Sequence, residues 1–90
     1  MTVADHIRQR LSVLSPSRLE LLDESAKHAG HAGAQPGGNT HWRLTIVSAA
    51  FSGNSTLARH RMIYAALGEL MQNPIHALSI SARAPGEIDG

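Results

Sequence analysis

The stretch Phe51–Ile80, FSGNSTLARHRMIYAALGELMQNPIHALSI, decides how this chain folds. Ser52-Gly53-Asn54 reads as a turn that opens a helix carrying Arg59-His60-Arg61. Asn73-Pro74 closes the helix, because the residue before a proline is driven out of the α region. An apolar strand follows at once, from Ile75 to Arg83, with His76 as its second residue. A helix that delivers the chain straight into a strand returns that strand to the sheet the helix covers. His76 is therefore expected in the sheet, beside Leu78 and Ile80. Within the helical stretch, Leu57, Tyr64, Leu67, Leu70 and Met71 line one face, with Ala66 behind them. The pattern predicts two helices, a short one near Ser55–Arg59 and a longer one to about Met71. Gly68 costs a helix ~1 kcal/mol relative to alanine, which points to close approach to the sheet.

Upstream, Thr40 to Ala50 reads as the clearest strand. Trp42, Leu44 and Ile46 alternate with Arg43, Thr45 and Val47, and β-branched residues are frequent. A strand, a helical crossover and a second strand in one sheet favour parallel, right-handed pairing of this segment with Ile75–Arg83. Arg18 to Asp23 is a further short strand, with Leu19 and Leu21 on one face. It is expected to pair antiparallel with Thr40–Ala50. Between them lies residues 24–39, ESAKHAGHAGAQPGGN, small, polar and rich in glycine. That is a long flexible loop where hairpins use about two to five residues, and loops of such length often carry function.

At the N-terminus, Val3, Ile7, Leu11 and Leu14 form one apolar helical stripe. Thr2 is a suitable N-cap, and Asp5 in the first turn suits the helix dipole. Ser15-Pro16 ends this helix. The tail 84–90, APGEIDG, is polar and expected to fray. The order is α-β-β-α-α-β, an α+β fold in which a three-stranded mixed sheet carries helices on one face. Residues 1–90 read as one domain.

The formal net charge of +1 argues against a strongly basic nucleic-acid footprint, although Arg43, Arg59, Arg61 and Arg83 all fall in the second half. With no cysteine there is neither disulfide nor thiolate ligand, whereas 6 histidines are present. Any soft metal chemistry here uses imidazole and borrows sulfur from a partner. No apolar run approaches the ~18 residues of a membrane span, so a cytoplasmic protein is the expectation.

His76 has two readings. One is a core-edge histidine satisfied by a backbone carbonyl. The other is a metal ligand at the start of its strand. In a parallel pairing that start lies near the start of the Thr40 strand, where the 24–39 loop emerges, so His31 or His28 comes within reach. Two imidazoles make half of a four-ligand site. His28 and His31 equally read as solvated loop residues, and His41 as exposed if Trp42 points inward. Asp23-Glu24 reads as a solvated acidic pair. Arg59-His60-Arg61 is a solvated face, a set of caps for nearby carbonyls, or a cationic patch for phosphate, a glutathione carboxylate or an acidic surface. Nothing suggests catalysis: no triad order, no cysteine nucleophile, no Gly-rich phosphate motif and no HExxH.

Taken in order, Thr40-His41-Trp42-Arg43, Phe51-Ser52-Gly53, the block RHRMIYAAL from Arg59 to Leu67, and the block IHALSI from Ile75 to Ile80 resemble the BolA family. The resemblance spans roughly Leu19 to Pro85. It implies a fold similar to the class II KH domain and no enzymatic activity, substrate or membrane attachment. It also implies a monothiol glutaredoxin as partner in a heterodimer that holds a bridging [2Fe–2S] cluster, with none in the isolated chain. The glutaredoxin would give a cysteine and glutathione a thiolate. This chain would give His76 and a loop residue, best matched by His31, with His28 the alternative. Imidazole in place of thiolate makes such a cluster less negative and raises its potential, and protonation of a ligand histidine weakens the site. The expected role is iron–sulfur trafficking or iron and redox sensing. The family's second implied role is transcriptional regulation through DNA, linked to stress response and cell morphology, with Arg59, His60, Arg61 and Arg83 as contacts. KH domains grip nucleic acid with a GxxG loop. Here Gly53-Asn54-Ser55-Thr56 has no second glycine, which counts against that mode of binding.

Overall fold

The strand His41–Val47 (β2) is central, and its alternation sets the layers. Trp42, Leu44 and Ile46 are buried, while Arg43 is exposed and Thr45 and Val47 are half-buried. The computed structural model describes residues 2–24 and 40–87. The remainder of the 24–39 segment, with His28 and His31, lies outside the described residues.

β1 (Arg18–Asp23) pairs antiparallel with β2, and β3 (Ala77–Arg83) pairs parallel with it, giving the order β1-β2-β3. Register fixes the two faces. Leu19 lies opposite Ile46 and Ile46 opposite Ala82; Leu21 lies opposite Leu44 and Leu44 opposite Ile80. These residues share one face, because directly opposed residues in adjacent strands point the same way. Glu20, Leu22, Arg43, Thr45, Ser79 and Ser81 fall on the other face.

The helices cover the apolar face. Helix α1 (Val3–Leu11) buries Ile7 and Leu11, with Val3 and Leu14 packed beside them, as the stripe predicts. Thr2 caps it through a reciprocal box: Thr2 Oγ1 accepts from Asp5 N, and Asp5 accepts from Thr2 N. Ser12–Leu14 tightens into a 3-10 turn, and Ser15 at φ 47° redirects the chain before Pro16. Helix α2 (Thr56–Leu67), capped by Ser55, buries Ile63 and Leu67 in the same cluster as Ile7, Leu11, Leu44 and Phe51. Burying one such side chain contributes about 1.5–3 kcal/mol, so these contacts hold the two layers together.

Five local expectations change. The predicted second break does not occur: α2 runs unbroken from Thr56 and gives way at Gly68 to a 3-10 turn, Gly68–Met71. Gly68 is the C-cap at φ +56°, and a Cβ there would meet the Arg10 guanidinium at 3.2 Å, so its neighbour is α1 and not the sheet. Leu57 and Tyr64 do not line the buried face. They are 60% and 42% exposed, because the stripe that faces inward is Arg59, Ile63 and Leu67. β2 stops at Val47, where the Ser48 side chain accepts from Ala50 N and starts the 3-10 turn Ala49–Phe51 that buries Phe51. The tail is held as far as Glu87: Ala84 is buried and Glu87 is bound to Arg59.

Candidate functional site: the histidine rim of the sheet

β2 and β3 run parallel, so they start at the same edge of the sheet, with His41 opposite Ala77. One carbonyl organises this rim. Thr40 O accepts from both His76 N (2.7 Å) and Ala77 N (3.1 Å). β3 therefore begins at Ala77, and His76 sits just outside it as an exposed residue, with Ile75 buried beneath. The imidazole is on the rim and does not enter the sheet beside Leu78. The exit toward the 25–39 segment is tied to the same place, since Glu24 N donates to His41 O at 2.8 Å. One stem of that segment, Thr40, accepts from His76 N, and the other, Glu24, is bonded to His41 from the β1 side of β2.

The histidine that the described residues bring to His76 is His41. Their ring centroids lie 6.4 Å apart with planes inclined at 59°. His41 is half-buried, not solvent-exposed, and its Nδ1 lies 2.9 Å from Thr40 Oγ1. Sequence reading missed this pairing, although the parallel register carries the signal: a residue at the first position of β2 neighbours the residue that leads into β3. A groove of about 220 Å³ opens here, lined by Glu24, His41, Trp42, Ala77, Leu78 and Ser79. The Glu24 side chain is only 13% exposed and pairs with Arg43 Nε at 3.3 Å, so it is not a solvated acid. Among the described residues, no group of three or more His, Cys, Asp or Glu is placed to hold a metal ion.

The Arg59-His60-Arg61 block lies at the opposite end of the sheet and divides by direction. Arg59 is 9% exposed and points inward. Its Nε donates to Asn54 O (2.9 Å), its NH1 to Ala82 O (3.1 Å), and its two terminal nitrogens to the two Glu87 carboxylate oxygens at 2.6 and 2.7 Å. Of the alternatives, Arg59 therefore caps carbonyls, and it is removed from the set of surface contacts. A bidentate guanidinium–carboxylate pair is among the stronger polar contacts available. It holds the Glu87 carboxyl down from 4.5 to about 2, helped by the Ala84 N–H, and Glu87 raises Arg59 in turn. The spacing Arg59, Ile63, Leu67, four and four, was the available signal for an inward arginine. Arg61 is exposed, and His60 is half-buried with its ring edge-on to Tyr64 at 6.4 Å. Arg83 is half-buried at the end of β3, where its carbonyl accepts from Ser48 N. The four residues thus do not form one exposed cationic surface.

Residues 11–87 match the family model described as BolA-like protein. The chain is 49% identical over 82 residues to BolA-like protein 1 of Pongo abelii, aligning 90% of this chain with 57% of that protein. It is 46% identical over 87 residues to SufE-like protein 1, chloroplastic/mitochondrial, of Arabidopsis thaliana, aligning 91% of this chain with 24% of the relative. The chain thus spans little more than half of the first relative and a quarter of the second. Among solved structures, the BolA domain of SufE1 from Arabidopsis thaliana superposes with a TM-score of 0.84 at 43% identity, covering 98% of both chains. With the mixed three-stranded sheet, the two helices over one face and the family match across most of the sequence, the chain belongs to the BolA-like family.

Proposed function

We propose that this chain is a non-enzymatic adaptor that pairs with a monothiol glutaredoxin and co-ligates a bridging [2Fe–2S] cluster, in iron–sulfur trafficking or iron and redox sensing. The observation that carries this reading is the rim. His76 is an exposed imidazole on a backbone fixed by Thr40 O, and Thr40 is itself one stem of the histidine-bearing segment, whose other stem, Glu24, is bonded to the neighbouring His41. Such a donor fits a cluster whose other ligands come from outside: nitrogen is present, and the sequence has no sulfur ligand of its own except methionine. His76 and a loop residue, His31 or His28, would hold the group, and the partner's cysteine and glutathione would complete it. When bound, the cluster would supply one-electron redox chemistry at a potential raised by nitrogen ligation. The protein's own part is to hold an imidazole at the edge of a rigid sheet, open to a partner.

The test is co-purification with a monothiol glutaredoxin and glutathione, read by the visible spectrum. His76→Ala is expected to abolish the histidine-ligated spectrum. The loss should be reproduced by His31→Ala or His28→Ala, whichever is the loop ligand. A spectrum unchanged by His76→Ala removes that residue from the ligand set. A DNA-binding role is the weaker reading, because Arg59 is committed internally.

A further inference from the structure

We propose that His41 and His76 form a binding site of their own for a single divalent ion of the zinc–copper–nickel class, present in the isolated chain without any partner. The two residues lie at the starts of adjacent parallel strands, on backbone fixed by one shared acceptor, Thr40 O. Metal–nitrogen bonds of about 2.0–2.1 Å place two imidazole centroids on one ion about 5–6 Å apart. The observed separation is 6.4 Å, so the site requires the exposed His76 side chain to turn toward His41.

His41 Nδ1 lies against Thr40 Oγ1, so a metal on this ring would take Nε2, with Nδ1–H left to donate to the hydroxyl. This matches the usual state of a ligating histidine, whose second nitrogen is tied to an oxygen that fixes the ring. Imidazole donors without thiolate select zinc, copper or nickel over magnesium or calcium, which take oxygen. Glu24, at the edge of the same groove, is paired with Arg43, so the two together add no net charge to the rim. Because no third donor of the described residues joins the pair, water completes the coordination shell and the ion exchanges readily. The site uses the same His76 nitrogen as the proposed cluster, so the two exclude each other. Its existence, however, rests neither on the glutaredoxin nor on the cluster.

The experiment is titration of Zn²⁺ into the isolated full chain, followed by calorimetry and by NMR of the imidazole nitrogens. One saturable equivalent is expected, with the nitrogens of His41 and His76 shifting together and those of His6 and His60 unmoved. His41→Ala, His41→Gln and His76→Ala should each weaken binding by more than the factor of about 10 expected for Thr40→Val, which removes only the orienting contact. A His28→Ala/His31→Ala double variant should bind as wild type does. Three outcomes overturn the proposal: Zn²⁺ shifts confined to His28 and His31, a folded His41 variant with undiminished affinity, or a loss in the loop double variant as large as in His41→Ala. Because no glutaredoxin is present, these outcomes are separate from success or failure of cluster assembly.

Discussion

The two ends of the sheet are built in opposite ways. At the end of β3, Arg59 satisfies two carbonyls and a carboxylate at once, Ala84 is buried, and Glu87 is pinned on both oxygens. At the start of β3, about 20 Å away at the rise of a strand, the backbone is also fixed, and two imidazoles stand on the rim beside the Glu24–Arg43 ion pair. One end spends its charged groups on the fold itself. The other keeps its nitrogen donors where an outside group can reach them. A cation in the sequence is therefore no guide to function until its direction is known, and Arg59 and Arg61, two residues apart, illustrate this.

Breaking the layer that joins the two ends has the largest expected effect. Leu44 is fully buried at the middle of β2, and Leu44→Ala should destabilise the protein by about 2–5 kcal/mol in chemical denaturation. Loss at both ends in a single transition is expected; separate transitions would show that the ends fold independently. Next is Arg59→Met, which strips three acceptors of their donor and should lower the thermal midpoint. The effect should fall short of the core variant, since water reaches the Glu87 side chain and screens the pair. The imidazole NMR signals of His41 and His76 should stay in place, and movement there would mean that the two ends are coupled.

Acid separates the ends further. The Glu87 carboxyl is held at about 2 instead of 4.5 in the folded protein, mainly by Arg59. A group whose folded value is depressed stabilises the fold above its unfolded value and loses that contribution as pH falls through the folded one. Stability should therefore decline between about pH 4.5 and about pH 2, and Glu87→Gln should remove that component. Asp5, lowered by its hydrogen bonds with Thr2, remains in both proteins, so the difference between their thermal midpoints isolates Glu87. Parallel curves for wild type and variant would show that the pair does not form in solution. The smallest effect on stability is expected at the rim. His76→Ala, at an exposed position, should change stability by no more than about 0.5 kcal/mol, while removing the proposed cluster and the proposed zinc site. A large destabilisation would instead mark His76 as structural.

Much of this was legible in the residues. The stripe of α1, its Thr2 cap, the bounds of β1, the alternation in β2 and the parallel return of β3 are local periodicities, and local periodicity is what sequence records directly. The misreadings share a different origin. Apolar spacing places Leu57 and Tyr64 on the buried face of α2, yet that helix turns an arginine inward, since β3 and the following tail offer it a carbonyl and a carboxylate. Gly68 read as a point of contact with the sheet, and faces Arg10 of α1 instead. His41 read as solvated because alternation alone turns it away from Trp42. The register then set it against His76.

The sequence by itself determined the order of the elements, the apolar face of the sheet and the family, because each follows from the spacing of side chains along one segment or from matched blocks of residues. Only the tertiary structure decided which charged and titratable groups meet. Arg59 reaches Glu87 28 residues away, and His41 stands beside His76, 35 residues on. Such meetings depend on strand register and on the direction in which a helix is rolled, and neither is written in the neighbourhood of the residues concerned.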